Sequence, residues 1–217
     1  MNAPDYWHPS GCPIHTEAPS VKQIPFITLL LALLAGALML LPTPQKAHLY
    51  VDLDAIEQGY FGGLLSGHWM HADLEHLVWN VAAFAILGSL LERHSRTLLV
   101  SSLAIGTFSV DLLLLSPLSD IQRYCGLSGV LNTLLGVALY LNWRQTRSAL
   151  VVMIGFLSIL KILIELGSGQ SVFTDISWPP FPLAHLAGLL ATPVVIIWAN
   201  WLTNRLHRLL TPLLWPS

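Results

Sequence analysis

Apolar residues fall along this chain in six long runs separated by polar stretches: about 24–41, 76–91, 98–115, 128–143, 150–166 and 183–202. Each approaches the ~20 residues that an α-helix needs to cross a bilayer, and several are a little short. The connection 42–75 breaks the rhythm, being too polar to span. It holds Val51, Ile56, Tyr60, Phe61 and Trp69 among charged residues, the pattern of a stretch lying at a membrane surface. The pattern therefore predicts an all-α membrane protein, a six-helix bundle with one long loop between spans one and two.

Composition agrees. Hydrophobic residues make up 54% of the 217-residue chain and charged residues 10%, against roughly 25% charged in soluble domains. So apolar a chain is expected to have the lipid bilayer as its main partner. A net charge of −2 argues against a nucleic-acid partner. Residues 1–23 carry Asp5, Glu17, four prolines and a single lysine, which does not match the basic start of a signal peptide. They are read as a cytoplasmic tail, mostly disordered. Residues 24–204 form the helical domain and 205–217 a second short tail.

Basic residues set the orientation. With six spans, Lys22, Arg93, Arg96, Arg144, Arg147, Arg205 and Arg208 share one side with both termini; Lys46 and Arg123 fall on the other. Both termini are therefore expected in the cytoplasm. Cys12 and Cys125 then lie on opposite sides and are not expected to pair.

Three polar clusters sit at the non-cytoplasmic ends of spans. The first holds His68, His71 and His76, with Asn80 four residues beyond His76 on the same helix face. Two donors on one inward face can hold an oxyanion or hydrogen-bond neighbouring helices without any chemistry. The second is Gly126-Leu127-Ser128-Gly129. A serine at a helix start is either an N-cap or a nucleophile next to free backbone N–H groups. The third is Ala184-His185-Leu186-Ala187-Gly188. A neutral imidazole there can take the proton of a serine hydroxyl.

Depth links these clusters. Arg144 lies 16 residues beyond Ser128, roughly 24 Å of helix. Arg93 lies 17 beyond His76, roughly 26 Å. Both fall short of the ~30 Å hydrocarbon core, so Ser128 and His76 are expected at similar depths below the surface. Backbone at such depth must be buried in protein or line a water-filled cavity. Small residues Gly129, Thr133 and Gly136 in span four match Ala184, Gly188 and Thr192 in span six. Close packing of these faces would bring Ser128 to His185. No aspartate is evidently placed to orient His185, Asp111 being of unknown relation to it, so a Ser–His dyad is expected rather than a triad.

Taken in order, His71, His76 and Asn80, then Gly126, Ser128 and Gly129, then His185 and Gly188, resemble the motifs of the rhomboid intramembrane serine proteases. The resemblance covers about residues 24–202. It implies a serine-type endopeptidase with Ser128 as nucleophile and His185 as base. It implies oxyanion support from His76, Asn80 and the Ser128 amide, with Gly126, Gly129 and His71 in support. Water would enter from the non-cytoplasmic side, with span five as a gate and residues 167–182 as a cap. Glu92-Arg93 is similar to an acidic–basic pair of the family. One position departs from the pattern: many rhomboids carry an aromatic ring four residues after the serine, stacked on the histidine, and here Asn132 stands there. His185 then needs another support, such as a hydrogen bond.

The GLSGVL stretch and Lys161 with Glu165 are similar to the rhombosortase subgroup of the bacterial inner membrane, associated with removal of C-terminal sorting helices. Lys161 and Glu165 themselves are read as a charge-neutralising pair within span five. The expected partner is a transmembrane protein substrate, with the site opening to the periplasm. No cofactor and no metal are expected, since His68, His71 and His76 lack a zinc-protease arrangement. The competing class is a non-catalytic rhomboid-like protein that binds transmembrane helices in the same cavity. A transporter would show duplicated halves, and none is visible.

Overall fold

The structure, a computed structural model, describes residues 24–172, 177–178 and 180–214. The stretch read as an N-terminal tail and Cys12 lie outside them, as does part of the expected cap. The protein is mostly helical. Helix α1 (Phe26–Met39) is followed by short helices α2 (Thr43–Ala47), α3 (Leu53–Glu57) and α4 (Gly63–Ser66). Long helices α5 (Leu74–His94), α6 (Arg96–Leu114), α7 (Ser128–Thr146), α8 (Ala149–Ser168) and α9 (Pro182–Leu214) follow. Helix α9 thus runs well past residue 204, where a tail was expected.

Four described helices are long and apolar enough to cross a membrane: α5, α6, α8 and α9 as far as Leu202. Helix α1 is shorter. Helix α7 is long enough but less apolar, and its position gives the reason. It packs against α5, α6, α8 and α9, so most of its surface meets protein rather than lipid. A helix so placed can carry Asn132, Thr133 and two glycines, because small and polar residues let neighbours approach. Helix α8 is the opposite case. Among its residues only Ile162 and Glu165 are buried, and large apolar side chains from Leu150 to Leu166 stand exposed along it.

The closest seam joins α7 to α9. A side chain on Gly188 would strike the Gly129 carbonyl, and one on Gly136 would strike Thr192. The Thr133 hydroxyl donates to the Gly188 carbonyl at 2.6 Å, within reach because the helices are so near, the oxygen having a second lone pair to accept it. Helix α6 joins the same seam: Ser109 donates to the Ala187 carbonyl at 2.9 Å, and Gly106 lies against Thr133.

Helix α1 is held by a different device. Its first turn has no side-chain cap of its own. The buried Glu92 carboxylate, on α5, instead accepts from the Ile27 amide at 2.9 Å and from the Thr28 amide and hydroxyl at 2.8 Å. A carboxylate there meets both orphan N–H groups and the positive end of the helix dipole. The charged partner of Glu92 is Arg96, at 3.8 Å, one turn beyond the Arg93 singled out from sequence.

The long loop departs from a purely helical reading. Strand β1 (Val51–Asp52) pairs antiparallel with β2 (Arg123–Tyr124). The Leu53 amide donates to the Gln122 carbonyl and the Gly126 amide to the Gly67 carbonyl, both at 3.0 Å. Two-residue strands carry no periodic signal, so the sequence pattern passes over them. Their effect is to tie the loop to the segment that leads into α7.

Replacing Glu92 by Ala is expected to destabilise the fold by about 2–4 kcal/mol, because buried donors lose a charged acceptor. Unfolding in detergent micelles measures it. Gly188→Ala is expected to cost about 1–3 kcal/mol by overpacking and to force α7 and α9 apart, with disulfide cross-linking yields across the seam as the readout.

Candidate active site

The segment entering α7 is shaped by its neighbours. Gly126 has φ 116°, a backbone conformation that favours glycine. A Cβ there would also fall 2.6 Å from the His76 ring, so the ring lies directly on the Gly126 backbone. The buried Tyr124 hydroxyl donates to the Gly126 carbonyl at 3.0 Å and sits under Gly129. Ser128 is the first residue of α7, with Leu127 in the N-cap position, so its side chain does not occupy the cap. The hydroxyl is therefore not spent on the helix end. It lies 3.0 Å from His185 Nε2, across the α7–α9 seam.

The other ring nitrogen of His185 meets a residue not expected there. Its Nδ1 lies 2.9 Å from Glu165 Oε2. The second oxygen of that carboxylate accepts from Lys161 Nζ at 2.6 Å and from the Val172 amide at 3.2 Å. The i,i+4 pair expected from sequence is present, and the same carboxylate also reaches α9. Asn132 is not engaged with the imidazole ring; its Nδ2 donates to the Ser128 carbonyl at 2.8 Å. Asp111 serves elsewhere, 2.9 Å from the buried His68 Nε2.

Ser128, His185, His76, Asn80, Asn132 and Lys161 line one cavity of about 240 Å³. Asn80 Nδ2 is buried there without a hydrogen-bond partner among the described residues. It is a donor available to a bound oxygen. Gly129 packs beneath the Ala184 carbonyl and supports the seam rather than the cavity wall. His71 stands behind His76, ring centroids 5.0 Å apart. Burial first, then the neighbouring His76, pushes His71 down to about 3, so it is neutral at physiological pH. Burial also pushes the Cys125 thiol up to about 12; a thiol so protonated is a poor competitor to Ser128. No group of three or more metal-ligating side chains is formed among the described residues.

Asp73 ties the start of α5 to the segment that precedes α9. Its Oδ1 accepts from the His76 amide at 2.8 Å, capping α5. Its Oδ2 accepts from the Ser177 amide at 2.8 Å and hydroxyl at 3.0 Å. The adjacent Trp178 ring rests on Tyr50, centroids 4.7 Å apart. Aspartate before a helix is legible as a cap, but its bond to a residue 104 positions away leaves no sequence signal.

Burial alone would raise the Asp73 carboxyl, but the bonds from His76 and Ser177 outweigh it and hold it below the usual range. A carboxyl lowered on folding stabilises the folded state above its unfolded pKa and loses that contribution as pH falls through the folded value. Protection of the Ser177 amide from hydrogen exchange is accordingly expected to drop as pH falls below the ordinary aspartate value of about 3.9. In Asp73→Asn the protection is weak at every pH.

The sequence profile of the Rhomboid domain matches residues 58–200, which takes in α4 to α8, α9 as far as residue 200, and every residue of the cavity. No curated protein matches the chain.

Proposed function

The chain belongs to the rhomboid family, and from that premise we propose that it is an intramembrane serine endopeptidase. The observation that carries the reading is the 3.0 Å contact between Ser128 Oγ and His185 Nε2, inside a cavity that also receives His76 and Asn80. A multi-pass bundle with lipid-facing apolar surfaces supports its place in the membrane.

On this reading Ser128 Oγ attacks the scissile carbonyl carbon while its proton passes to His185 Nε2. The carbonyl oxygen becomes an oxyanion, met by Asn80 Nδ2, the His76 ring and amides at the start of α7. The C–N bond then breaks, and His185 returns the proton to the leaving amine. Water attacks the acyl-enzyme ester in a second, equivalent cycle, releasing the new carboxyl end and restoring Ser128. The substrate is a transmembrane segment that unwinds locally, since a helical carbonyl is already bonded and shielded.

Six spans, α1 and α5 to α9 as far as about residue 204, complete the topology we propose, with residues 1–23 and the C-terminal end in the cytoplasm. Helix α1 is short, yet Leu29, Leu30, Leu33 and Leu34 are exposed on it, as a lipid-facing helix requires. The site then opens to the periplasm of a bacterial inner membrane. Lys161 and Glu165 beside the cavity support the rhombosortase subgroup, whose substrates are C-terminal sorting helices.

Reconstituted wild-type protein is expected to cleave a transmembrane substrate and to react with a fluorophosphonate probe at Ser128. Ser128→Ala and His185→Ala are each expected to lose on the order of 10⁴-fold or more in kcat. His76→Ala and Asn80→Ala are expected to lose about 10²–10³-fold. Wild-type protein that neither cleaves nor labels, yet retains bound transmembrane helices, would replace the enzyme with a helix-binding protein.

A further inference from the structure

Helix α8 exposes almost its whole length, yet it buries one carboxylate. Glu165 is fully buried, and burying a charge is unfavourable unless its lone pairs are met. They are met from three directions: Lys161 one turn earlier, Val172 after the helix end, and His185 on α9. Only the first of these is local. A carboxylate placed solely to neutralise Lys161 has no need to turn its second oxygen to another helix.

The chemistry of that oxygen is restrictive. With an ammonium on Oε1, the group is a carboxylate and accepts only. The proton of the 2.9 Å contact must therefore belong to His185 Nδ1. A neutral imidazole protonated on Nδ1 presents a bare lone pair at Nε2. That lone pair faces Ser128 Oγ at 3.0 Å. Asn132, four residues beyond the serine, bonds the Ser128 carbonyl instead of supporting the ring, so the ring's orientation falls to Glu165.

We propose that Glu165 is the positioning residue for His185, held by Lys161, so that the site works as a serine–histidine–glutamate triad assembled from α7, α9 and α8. The inference rests on the protease reading above. Glu165 touches no reacting atom; it selects the tautomer, fixes the ring and stabilises the imidazolium formed when Ser128 gives up its proton.

The test compares wild type, Glu165→Gln and Ser128→Ala on a transmembrane peptide substrate in proteoliposomes. The amide keeps the shape of the side chain but removes its charge and its strict acceptor character. Glu165→Gln is expected to lower kcat on the order of 100-fold or more with KM changed by less than about twofold. A kcat within about threefold of wild type, or a loss carried by KM alone, would overturn the proposal. Nitrogen-15 spectra of histidine-labelled wild-type protein, assigned with His185→Ala, give a readout that needs no folded Glu165 variant. The proton of His185 is expected on Nδ1, and a proton on Nε2 overturns the assignment. Should Ser128→Ala cleave as well as wild type, the protease reading itself falls. If it is inactive while Glu165→Gln is not, only the role of Glu165 falls.

Discussion

The distance between α7 and α9 is the constraint on which the rest depends. Ser128 and His185 stand on separate helices, 57 residues apart in sequence, so their 3.0 Å contact depends on how the helices pack. Their approach is set by glycines that admit the facing helix, Gly188 meeting the Gly129 carbonyl and Gly136 the Thr192 side chain. In lipid the hydrophobic effect gives little attraction between helices, so association relies on packing and interhelical hydrogen bonds. The Thr133 bond to Gly188 and the Ser109 bond to Ala187 supply the second term where the glycines supply the first. The seam fixes the separation of the helices, and the separation fixes the geometry of the hydroxyl and the imidazole.

Buried carboxylates organise what the seam does not reach. Glu92 and Glu165 lie in different helices but solve the same problem. Each is taken out of water and each is surrounded by donors from another part of the chain. An apolar medium makes such arrangements all-or-none, because an unmet charge there is far more unfavourable than in water. Glu92 thereby secures α1 to α5, and Glu165 secures α8 to α9. Asp73, nearer the surface, does the same for the rim by dividing its two oxygens between α5 and Ser177.

How far the sequence reaches can be judged from these residues. The apolar runs place the long helices to within a few residues except at the far end of α9, which continues to Leu214, and the small-residue faces of α7 and α9 are visible as residues three or four apart. Ser128, His185, His76 and Asn80 are visible because each recurs in an ordered motif, and they line one cavity. Glu165 is visible only as half of an ion pair with Lys161. Its second contact depends on which helix that face of α8 meets, and the i,i+4 spacing to Lys161 already accounts for the charge without a further partner. The β1–β2 pairing and the Ser177 contact were out of reach for a related reason: each is a single long-range bond set with no repeat. Apolarity also misleads in one place, since the central α7 is the least lipid-like of the long helices for the very reason that it is enclosed.

The thin attachment of α8 has a mechanical meaning. A helix that buries only Ile162 and Glu165 meets the bundle along a narrow face. One of its bonds to the bundle is the Glu165 contact with His185. Any separation of α8 from α9 would break the contact between Glu165 and the His185 ring in the same motion. On the triad proposed above, the attachment of α8 and the alignment of the base depend on one carboxylate.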